Sequence, residues 1–334
     1  SNKTNLSEFD NFFKDYIKKN KLDLVIPMND ESAMYLSQNK IKFDNFFKLI
    51  IPDIEIFENG YDKNQLMRFC SENGFDHPRT INLEDTLQII DFDEFTFPGI
   101  IKPNKSSGAR GFKIVNSIEE ISTSLPSIVK KHGKCHLQEF IPCGGKQYKV
   151  QVFIYEDELI ASSVIEKLRY YPINGGSSCF NKTIRNDKLV QICFRLLSKM
   201  GWVGFADFDL IEDPRNEKIL IIELNPRVPA CIKSSFISDV DFAKAYVDIT
   251  FNRISKKSNN YEPDKYLRYL AFDILWLIKR GVSVSNFRKF TKHFFSKKHY
   301  FQDLDLTDIM SFIAGSLGGL MKLKDSEYIK EKKF

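Results

Sequence analysis

Two carboxylates and one amide have the spacing that most clearly predicts chemistry in this sequence. Asp209 lies in the run 207–211, and Glu223 and Asn225 lie in the apolar run 219–225. If the two runs pair as a hairpin, Asp209 lies opposite Glu223, and the strand period of two puts Asn225 on the same face. Facing carboxylates repel and need a compensating cation. Because Mg²⁺ takes carboxylate and amide oxygens and leaves positions for phosphates, the pattern predicts a magnesium site.

Arg227 extends this group, because it follows Asn225 by two residues and could reach a terminal phosphate. The alternative interpretation is a set of solvent-facing acids with local lysine partners. That alternative is harder to sustain for Asn225-Pro226-Arg227, since these residues directly follow an apolar strand that otherwise carries no charge.

A glycine-rich loop is the second candidate for ligand binding. Residues 102–111 have the sequence Lys-Pro-Asn-Lys-Ser-Ser-Gly-Ala-Arg-Gly and follow a predicted strand. Gly and Ser let the main chain approach phosphate oxygens closely, so that backbone N–H groups can bind them. The loop lacks the Gly-Lys-Ser/Thr of a Walker A motif and precedes a strand rather than a helix. Phosphate binding at a helix N-terminus is therefore not predicted, and an ordinary hairpin loop is the alternative.

The apolar periodicity predicts the elements that must position these groups. Helices are predicted at 8–20, 31–39, 62–73, 117–131 and 186–200. Strands are predicted at 22–27, 97–102, 112–115, 135–141, 147–155, 202–211 and 218–224. A Gly/Ser-rich loop is predicted at 172–182, and the remainder from 239 onwards is predicted to be mainly helical. The fold class is thus α/β and α+β.

Composition excludes several classes of protein. The 334 residues suffice for two or three units, and a net charge of +5 with interspersed signs does not call for nucleic acid. Six cysteines without a CxxC pair predict reduced thiols and a cytoplasmic protein. No apolar run approaches the roughly 20 residues of a transmembrane helix. No Ser/His/Asp or Cys/His set suggests a protein nucleophile.

The carboxy-terminal third interleaves basic and aromatic residues. The basic residues are Lys279, Arg280, Arg288, Lys289, Lys292, Lys297 and Lys298, and the aromatic ones are Phe287, Phe290, Phe294 and Phe295. One interpretation is a solvated basic helix face, and the other is a surface that contacts an anionic membrane or an acidic partner. The sequence leaves both open.

Taken together, these segments resemble the ATP-grasp family, and within it the branch of the carbamoyl-phosphate synthetase large subunit. The similarity covers roughly residues 20–235. Its motifs are Asp62-Lys63, the segment 97–111, the segment 137–141 and the segment 201–227. The interval of fourteen residues from Asp209 to Glu223, followed by Asn-Pro-Arg, is the most specific of them.

The resemblance implies an ATP-grasp fold in which two α+β lobes clasp ATP. The expected domains are a partial amino-terminal α/β unit at 1–60, the ATP-grasp lobes at 61–240 and a mainly helical region at 241–334. Within 61–240, the nucleotide lobe is expected at about 75–141 and the metal and substrate lobe at about 142–240. The amino-terminal unit is expected to lack its first strands.

The resemblance also implies roles for individual residues. Lys63 and Lys102 would contact the nucleotide phosphates under a lid that includes Ser106, Ser107, Gly108 and Gly111, and Gln138, Glu139, Phe140 and Ile141 would form the hinge strand that binds adenine. Asp209, Glu223 and Asn225 would ligate one or two Mg²⁺ ions, for which Mn²⁺ could substitute, and Lys102 and Arg227 would act in catalysis.

The activity that the resemblance implies is a carboxylate-amine ligase. The substrate carboxylate would attack the γ-phosphate of ATP, and an amine or other nucleophile would capture the acylphosphate. Lys167, Arg169 and Arg185 are candidates for binding the acid, although a solvated strand edge explains them equally well. The alternatives are a phosphotransferase on a small acid and a non-catalytic nucleotide-binding scaffold. A homodimer is compatible with the sequence, and no nucleic-acid partner is expected.

Overall fold

Two β-sheets organise the chain in the computed structural model, which describes residues 6–83, 95–106, 110–173, 177–253, 261–304 and 307–322. The strands are β1 (Thr80–Asn82), β2 (Gly99–Pro103), β3 (Lys113–Val115), β4 (Cys135–Glu139), β5 (Gln147–Tyr155), β6 (Glu158–Tyr171), β7 (Ser177–Ile184), β8 (Gly204–Glu212), β9 (Ile219–Asn225), β10 (Tyr266–Arg268) and β11 (His299–Phe301).

Twelve helices lie within the described ranges. They are α1 (Leu6–Asn20), α2 (Asp30–Gln38), α3 (Lys40–Phe43), α4 (Ile54–Tyr61), α5 (Lys63–Glu72), α6 (Ile118–His132), α7 (Asp187–Met200), α8 (Ile232–Phe236), α9 (Phe242–Thr250), α10 (Leu270–Arg280), α11 (Val284–Thr291) and α12 (Ile309–Lys322). Among these described helices, none combines the length and the apolar character that crossing a bilayer requires.

The smaller sheet has four antiparallel strands in the order β1-β4-β2-β3. Helix α6 covers one face, where Ile121 and Leu125 pack with Ile101 and Leu137. Ser117 caps the start of α6 by accepting a hydrogen bond from the Glu120 amide, which agrees with the helix predicted at 117–131. The strands predicted at 97–102, 112–115 and 135–141 are confirmed within a few residues.

The larger sheet has seven strands in the order β11-β10-β7-β6-β5-β8-β9. Strands β10 and β11 run parallel, and all other neighbours are antiparallel. Because side chains alternate along β5, Val150 and Val152 pack with α7 on one face, whereas Phe153 packs with Tyr246 of α9 on the other. Both faces of the central strands are therefore buried.

The amino-terminal helices form an aromatic cluster that docks on this sheet. Phe57 of α4 stacks near Trp202, and a Cβ atom at Gly60 would lie 2.6 Å from Trp202 Cζ3. A glycine is thus required for this close approach. The strand predicted at 22–27 is wrong, because the segment makes only an isolated parallel bridge between Leu24 and Lys48.

The loop predicted at 172–182 is also wrong over most of its length. Residues 177–184 form β7, an interior strand between β6 and β10. The Gly and Ser residues of 172–182 suggested a loop, yet Asn181 and Thr183 are buried polar residues inside the sheet. The region from 239 onwards is mainly helical but also adds β10 and β11 to the sheet. The domain boundaries at 60 and 240 stay predictions.

Candidate functional site

A cavity of about 710 Å³ lies between the two sheets and brings most of the predicted site residues together. Its charged lining residues include Lys63 of α5, Lys102 of β2, Lys149 of β5, Lys167 of β6, Asp209 of β8, Glu223 of β9 and Arg227. The cavity is therefore a cleft with charged lining residues that lies between the four-stranded sheet and the seven-stranded sheet.

One end of the cleft is apolar. Its lining residues there are Ile100, Phe112, Ile114, Phe140, Ile141, Leu210, Ile211 and Ile222. The hinge residues Gln138, Glu139, Phe140 and Ile141 all line the cavity, as predicted, although two of their amides already bond within the protein. The Glu139 amide donates to Arg79 O at 2.8 Å and the Phe140 amide to Pro98 O at 3.1 Å. The Glu139 carboxylate pairs with Arg215 at 2.5 Å.

Lys102 is almost completely buried at the centre of the cleft. Its Nζ donates a hydrogen bond to Gln138 Oε1 and lies 5.1 Å from the centre of the Phe112 ring. Burial lowers the pKa of Lys102 to about 8, against the opposing effect of Glu223 and with a smaller contribution from the charge of Lys63. Among the described residues, the hydrogen-bond acceptor of Lys102 is the neutral Gln138, so its positive charge is available to an anionic ligand.

Lys63 lines the cleft and forms hydrogen bonds with the glycine-rich loop. Asp62 caps α5 by accepting from the amides of Asn64 and Gln65, which places Lys63 at the first turn. The Lys63 amide donates to Asn104 O at 3.0 Å, and its Nζ donates to Ser106 O at 2.6 Å. The same Nζ lies 3.4 Å from Glu223 Oε2.

The rest of the predicted phosphate lid is only partly within the described ranges. Ser107 and Gly108 lie outside the described residues. Ser106 contributes its carbonyl to Lys63 but does not line the cleft. Gly111, at φ +75°, also lies outside the cleft lining, and a Cβ there would meet His132 Cδ2 and Pro103 Cγ at 2.8 Å. Packing against α6 and β2 thus explains Gly111.

The β8–β9 hairpin has the predicted register. Asp209 lies opposite Glu223, and Asp207 lies opposite Asn225, with a bulge after Asp209. The Asn225 side-chain amide donates to Asp207 O at 3.1 Å. Alternation therefore places Glu223 and Asn225 on the cleft side, as the pattern predicts.

The cation that compensates Asp209 in this structure is lysine. Lys149 Nζ donates to Asp209 Oδ2 at 3.2 Å and to Asp207 Oδ2 at 2.9 Å, and Lys167 Nζ pairs with Asp209 Oδ1. Although burial opposes ionisation, the two ammonium groups hold the pKa of Asp209 well below its usual range. Burial raises the pKa of Asp207. Facing carboxylates therefore do not by themselves require a metal here.

Sequence reasoning missed Lys149. It lies directly opposite Asp209 in the pairing of β5 with β8 and is largely buried. The sequence contains an indication of its role, because Lys149 lies between Tyr148 and Val150 in a strand that buries both faces, where an unpaired lysine is rare. The carboxylates raise the pKa of Lys149 despite burial, so that it stays charged.

The oxygen ligands fit Mg²⁺ only as a partial shell. Among the described residues, no three His, Cys, Asp or Glu side chains come together as a ligand set. Glu223 and Asn225 offer one carboxylate and one amide to the cleft, which suits an ion that completes its shell with phosphates and water. Asp209 could join them only by exchanging Lys149 or Lys167 for the ion.

Arg227 lines the cleft beside these ligands. Its Nε lies 3.0 Å from Asp30 Oδ1 at the start of α2, and its Nη1 donates to Val228 O at 3.1 Å. Its Nη2 donates to Asn225 Oδ1 at 3.4 Å. The amino-terminal unit thus orients the predicted phosphate contact.

Of the three residues suggested for the acid, only Lys167 lines the cleft. Arg169 is held outside it by Asp273, with Nε–Oδ1 at 2.6 Å and Nη2–Oδ2 at 2.7 Å, and packs over Phe180. Arg185 lies at the surface, 3.6 Å from Asp187. Alternation along β6 predicts that Lys167 and Arg169 lie on the same face. The pairing of β6 with β7 is irregular between these two residues, and Arg169 lies outside the cleft.

The far wall of the cleft was not predicted from the sequence. It consists of Tyr170, Ser177, Ser178, Asn181, Ala230, Cys231, Leu267, Tyr269, Phe272, Gln302 and Asp303. Five of these follow residue 260, so the carboxy-terminal region contributes part of the cavity.

A family model described as an ATP-grasp domain matches residues 61–231, which is just over half of the chain. The chain belongs to the ATP-grasp family. The matched span of this ATP-grasp chain contains every residue predicted for the nucleotide and the metal, and members of the family bind ATP with Mg²⁺. The far-wall residues Leu267, Tyr269 and Asp303 lie beyond it.

Curated relatives agree with this assignment. The chain is 25% identical over 260 residues to D-aspartate ligase of Enterococcus faecium, covering 72% of this chain and 61% of the relative. It is 24% identical over 231 residues to the carbamoyl phosphate synthase large chain of Campylobacter jejuni, covering 64% of this chain and 21% of the relative. The chain thus spans about three fifths of the first relative and one fifth of the second.

A solved structure confirms the predicted ATP-grasp fold. The biotin carboxylase domain dimer of Hydrogenobacter thermophilus 2-oxoglutarate carboxylase, in complex with MgADP, ADP and bicarbonate, superposes with a TM-score of 0.64. The superposition covers 77% of this chain and 60% of that one at 16% sequence identity. At this identity the likeness concerns the fold alone.

Proposed function

We propose that this protein is an ATP- and Mg²⁺-dependent ligase that activates a carboxylate as an acylphosphate for capture by an amine. The observation that carries the proposal is the convergence of Lys63, Lys102, Glu223, Asn225 and Arg227 on one cleft. Phosphoryl transfer needs positioning and neutralisation of charge rather than a protein nucleophile. These residues supply both.

Different residues of the cleft would bind the adenine, the phosphates and the metal ion. The apolar end would take the adenine, and Lys63 and Lys102 would bind the phosphates. Glu223 and Asn225 would hold Mg²⁺, which neutralises phosphate oxygens when bound. Arg227, which lies beside Asn225, would bind the transferred phosphoryl group.

The proposed reaction has two steps. A carboxylate oxygen of the acid attacks the γ-phosphorus, the bond to the β-phosphate oxygen breaks, and ADP leaves. The amine nitrogen then attacks the acyl carbon, inorganic phosphate leaves with the bonding electron pair, and the nitrogen gives its proton to solvent. Lys167 would orient the acid, since it is the predicted substrate residue that lines the cleft.

The acid to test first is an amino acid. The support for this choice is the similarity to D-aspartate ligase, whose name states its acid. We also propose one or two Mg²⁺ ions, replaceable by Mn²⁺, and a homodimer like the related carboxylase domain. Phosphate release at varied concentrations of each metal, and light scattering of the purified protein, test these two points.

Phosphate release from ATP and Mg²⁺ tests the activity. The protein is assayed with D-aspartate, L-aspartate, D-alanine, L-alanine and bicarbonate, each with and without hydroxylamine as a neutral nucleophile. We expect one acid to yield a hydroxamate in step with phosphate release. Hydroxamate with the full chain but not with Glu223→Gln would assign the activation to this cleft.

Two other outcomes would replace the ligase by one of the alternatives. A stable phosphorylated acid that resists hydroxylamine would indicate a phosphotransferase. ATP binding without turnover for any acid would indicate a nucleotide-binding scaffold. The phosphate contacts of the cleft are common to all three activities, and the similarity to D-aspartate ligase favours the ligase.

A further inference from the structure

A basic helical face lies on α10 and α11 and the turn that follows α11, outside the cleft. From Ile274 to Gln302 the sequence contains seven Lys and Arg residues and no Asp or Glu. One of the seven, Lys298, lies near Glu262 and Asp264. The six that define the face are Lys279, Arg280, Arg288, Lys289, Lys292 and Lys297, all exposed and none in an ion pair with a carboxylate of the described residues.

Large apolar side chains stand among these cations. Val284 is 81% exposed and Phe287 51% exposed, and their spacing of three residues puts them on one side of α11 beside Arg288. Ile278, Val282 and Phe295 are also exposed. A basic helix face that contacts only water does not need such residues, because exposure of apolar surface to water is unfavourable.

Helix α12 extends the apolar part of the face. It packs against α10 and exposes Met310, Ile313 and Leu317, whose spacing of three and four residues places them along one stripe. Three adjacent helices thus present apolar side chains to solvent, with the cations concentrated on α10, α11 and the turn after α11.

A second cavity opens in the same face. It has a volume of about 350 Å³, and Arg280, Lys289 and Lys292 line it above an aromatic floor that includes Trp276. Arg169 also lines it but is already bound to Asp273. The described lining residues include no carboxylate. Such a pocket suits a phosphate group that carries an apolar extension.

We propose that α10 to α12 dock this protein on an anionic membrane surface. The cations would lie against lipid phosphates, one of them in the second cavity, while Val284, Phe287 and Met310 would enter the boundary between headgroups and acyl chains. Nucleic acid would use the cations but leave the apolar side chains in water. The proposal is independent of the ligase activity, because none of its cations and exposed apolar side chains lines the cleft, although the second cavity shares Tyr170 with it.

Vesicle sedimentation with the full chain tests the docking. Vesicles of equal parts phosphatidylglycerol and phosphatidylcholine are compared with vesicles of phosphatidylcholine alone. We expect a partition coefficient about tenfold or more higher on the anionic vesicles. Because counterions screen exposed charges, raising NaCl from about 0.1 M to about 0.5 M should lower it severalfold.

Variants locate the surface. The triple change Arg288→Glu, Lys289→Glu and Lys292→Glu should lower the partition coefficient about 100-fold, given the contribution of each cation near an anionic surface. The matched control, Lys18→Glu, Lys19→Glu and Lys130→Glu, removes the same charge from exposed positions elsewhere and should change it less than about threefold. Phe287→Ser should lower it about tenfold without any change of charge.

Several results would overturn the proposal. They are equal binding to both kinds of vesicle, equal losses for the two triple variants, and no effect of Phe287→Ser. Tighter binding of a labelled single-stranded oligonucleotide than of anionic vesicles would assign the face to a polyanion instead. If the triple variant fails to fold, the salt dependence of the parent protein and Phe287→Ser still decide the question.

Discussion

Strand β6 contributes to two clusters of charged side chains, and the charges of these clusters are paired to different extents. At Lys167 it enters the cleft, where Lys149 and Lys167 compensate Asp209. Two residues later, Arg169 enters a buried cluster with Arg268 and Asp273. The clusters share a strand, yet the first lines the cleft, whereas the charged groups of the second, the closed cluster, are paired with one another.

The buried cluster has a partner for each of its charged groups. The Arg268 guanidinium pairs with Asp273 and donates to Phe290 O at 2.8 Å, Lys292 O at 3.1 Å and His299 Nε2 at 2.9 Å. Phe180 lies between the two guanidinium groups, 4.2 and 4.3 Å from them. Although burial lowers the pKa of Arg268 to about 10, it stays charged at neutral pH.

The cleft cluster is left incomplete. Lys102 has one neutral hydrogen-bond partner, Gln138, and the buried Asp207 Oδ1 has no hydrogen-bond partner within the described chain. Buried groups of this kind cost stability unless a ligand completes them. In this protein, the two clusters differ in how completely their buried charges are paired rather than in the number of charges.

The largest expected effect is in the closed cluster. Asp273→Ala leaves two guanidinium groups buried without a carboxylate, so we expect the free energy of unfolding to fall by about 3–5 kcal/mol. Urea unfolding followed by circular dichroism measures it. Asp264→Asn, which removes an exposed ion pair with Lys182, should cost less than about 1 kcal/mol. A loss that small for Asp273→Ala would show that the cluster is not structural.

Glu223→Gln should have the next largest effect, on activity rather than stability. Removing one charge at the metal and phosphate site should lower ATP turnover about 100-fold or more. The melting temperature should change little, because the variant loses the contact of Glu223 with Lys63 and also the repulsion between Glu223 and Asp209 across the hairpin. Glu217→Gln in the turn of the same hairpin is the matched control and should keep full turnover. Surviving turnover in Glu223→Gln would make the hairpin structural.

Lys102→Ala should affect nucleotide binding more moderately. A hydrogen bond to a charged group contributes about 1.5–3 kcal/mol, so calorimetry should show about 10- to 100-fold weaker ATP binding. Folding should not suffer in proportion, since a buried ammonium with one neutral partner is itself unfavourable. Lys113→Ala, at an exposed position on β3, is the control. Unchanged affinity would remove Lys102 from the site.

The smallest effect concerns pH. Because the pKa of Lys102 is about 8 in the folded protein, its charge is present below pH 8 and lost above it. ATP affinity should therefore fall by up to about tenfold between pH 7 and pH 9. The pH dependence of folding has the opposite sign. Between about pH 8 and pH 10.5 the unfolded chain binds more protons than the folded one, so the contribution of Lys102 to the free energy of unfolding rises with pH.

Lys102→Arg separates this titration from others. An arginine stays charged across the range, so its ATP affinity should be flat between pH 7 and pH 9 where that of the parent falls. A pH dependence that persists in Lys102→Arg would assign the effect to another group.

The sequence was sufficient for the parts of the site that local geometry determines. The register of β8 and β9 follows from alternation and a short turn, so Asp209 and Glu223 could be paired without a structure. Lys63 and Lys102 were found by resemblance and do line the cleft. The metal ligands and phosphate contacts stay predictions until nucleotide binding is measured.

The remainder depends on contacts between distant parts of the chain. Asp273 is 104 residues away from Arg169, so no local pattern could show that it binds Arg169 and removes it from the substrate candidates. Lys149 becomes a partner of Asp209 only when β5 lies beside β8. The Gly and Ser residues of 172–182 predicted a loop, whereas β7 is a strand whose buried Asn181 and Thr183 bond to residues of distant segments that no local pattern could show.

The addition of β10 to β7 has a consequence for how such proteins can diversify. It brings Leu267, Tyr269 and Asp303 to the far wall of the cleft, although all three lie beyond the span that the family shares. Changes in this terminal segment can remodel one end of the cavity while the phosphate end keeps its residues. Replacement of the segment after residue 260 by another would therefore change the far wall of the cleft and leave Lys63, Lys102 and Arg227 in place.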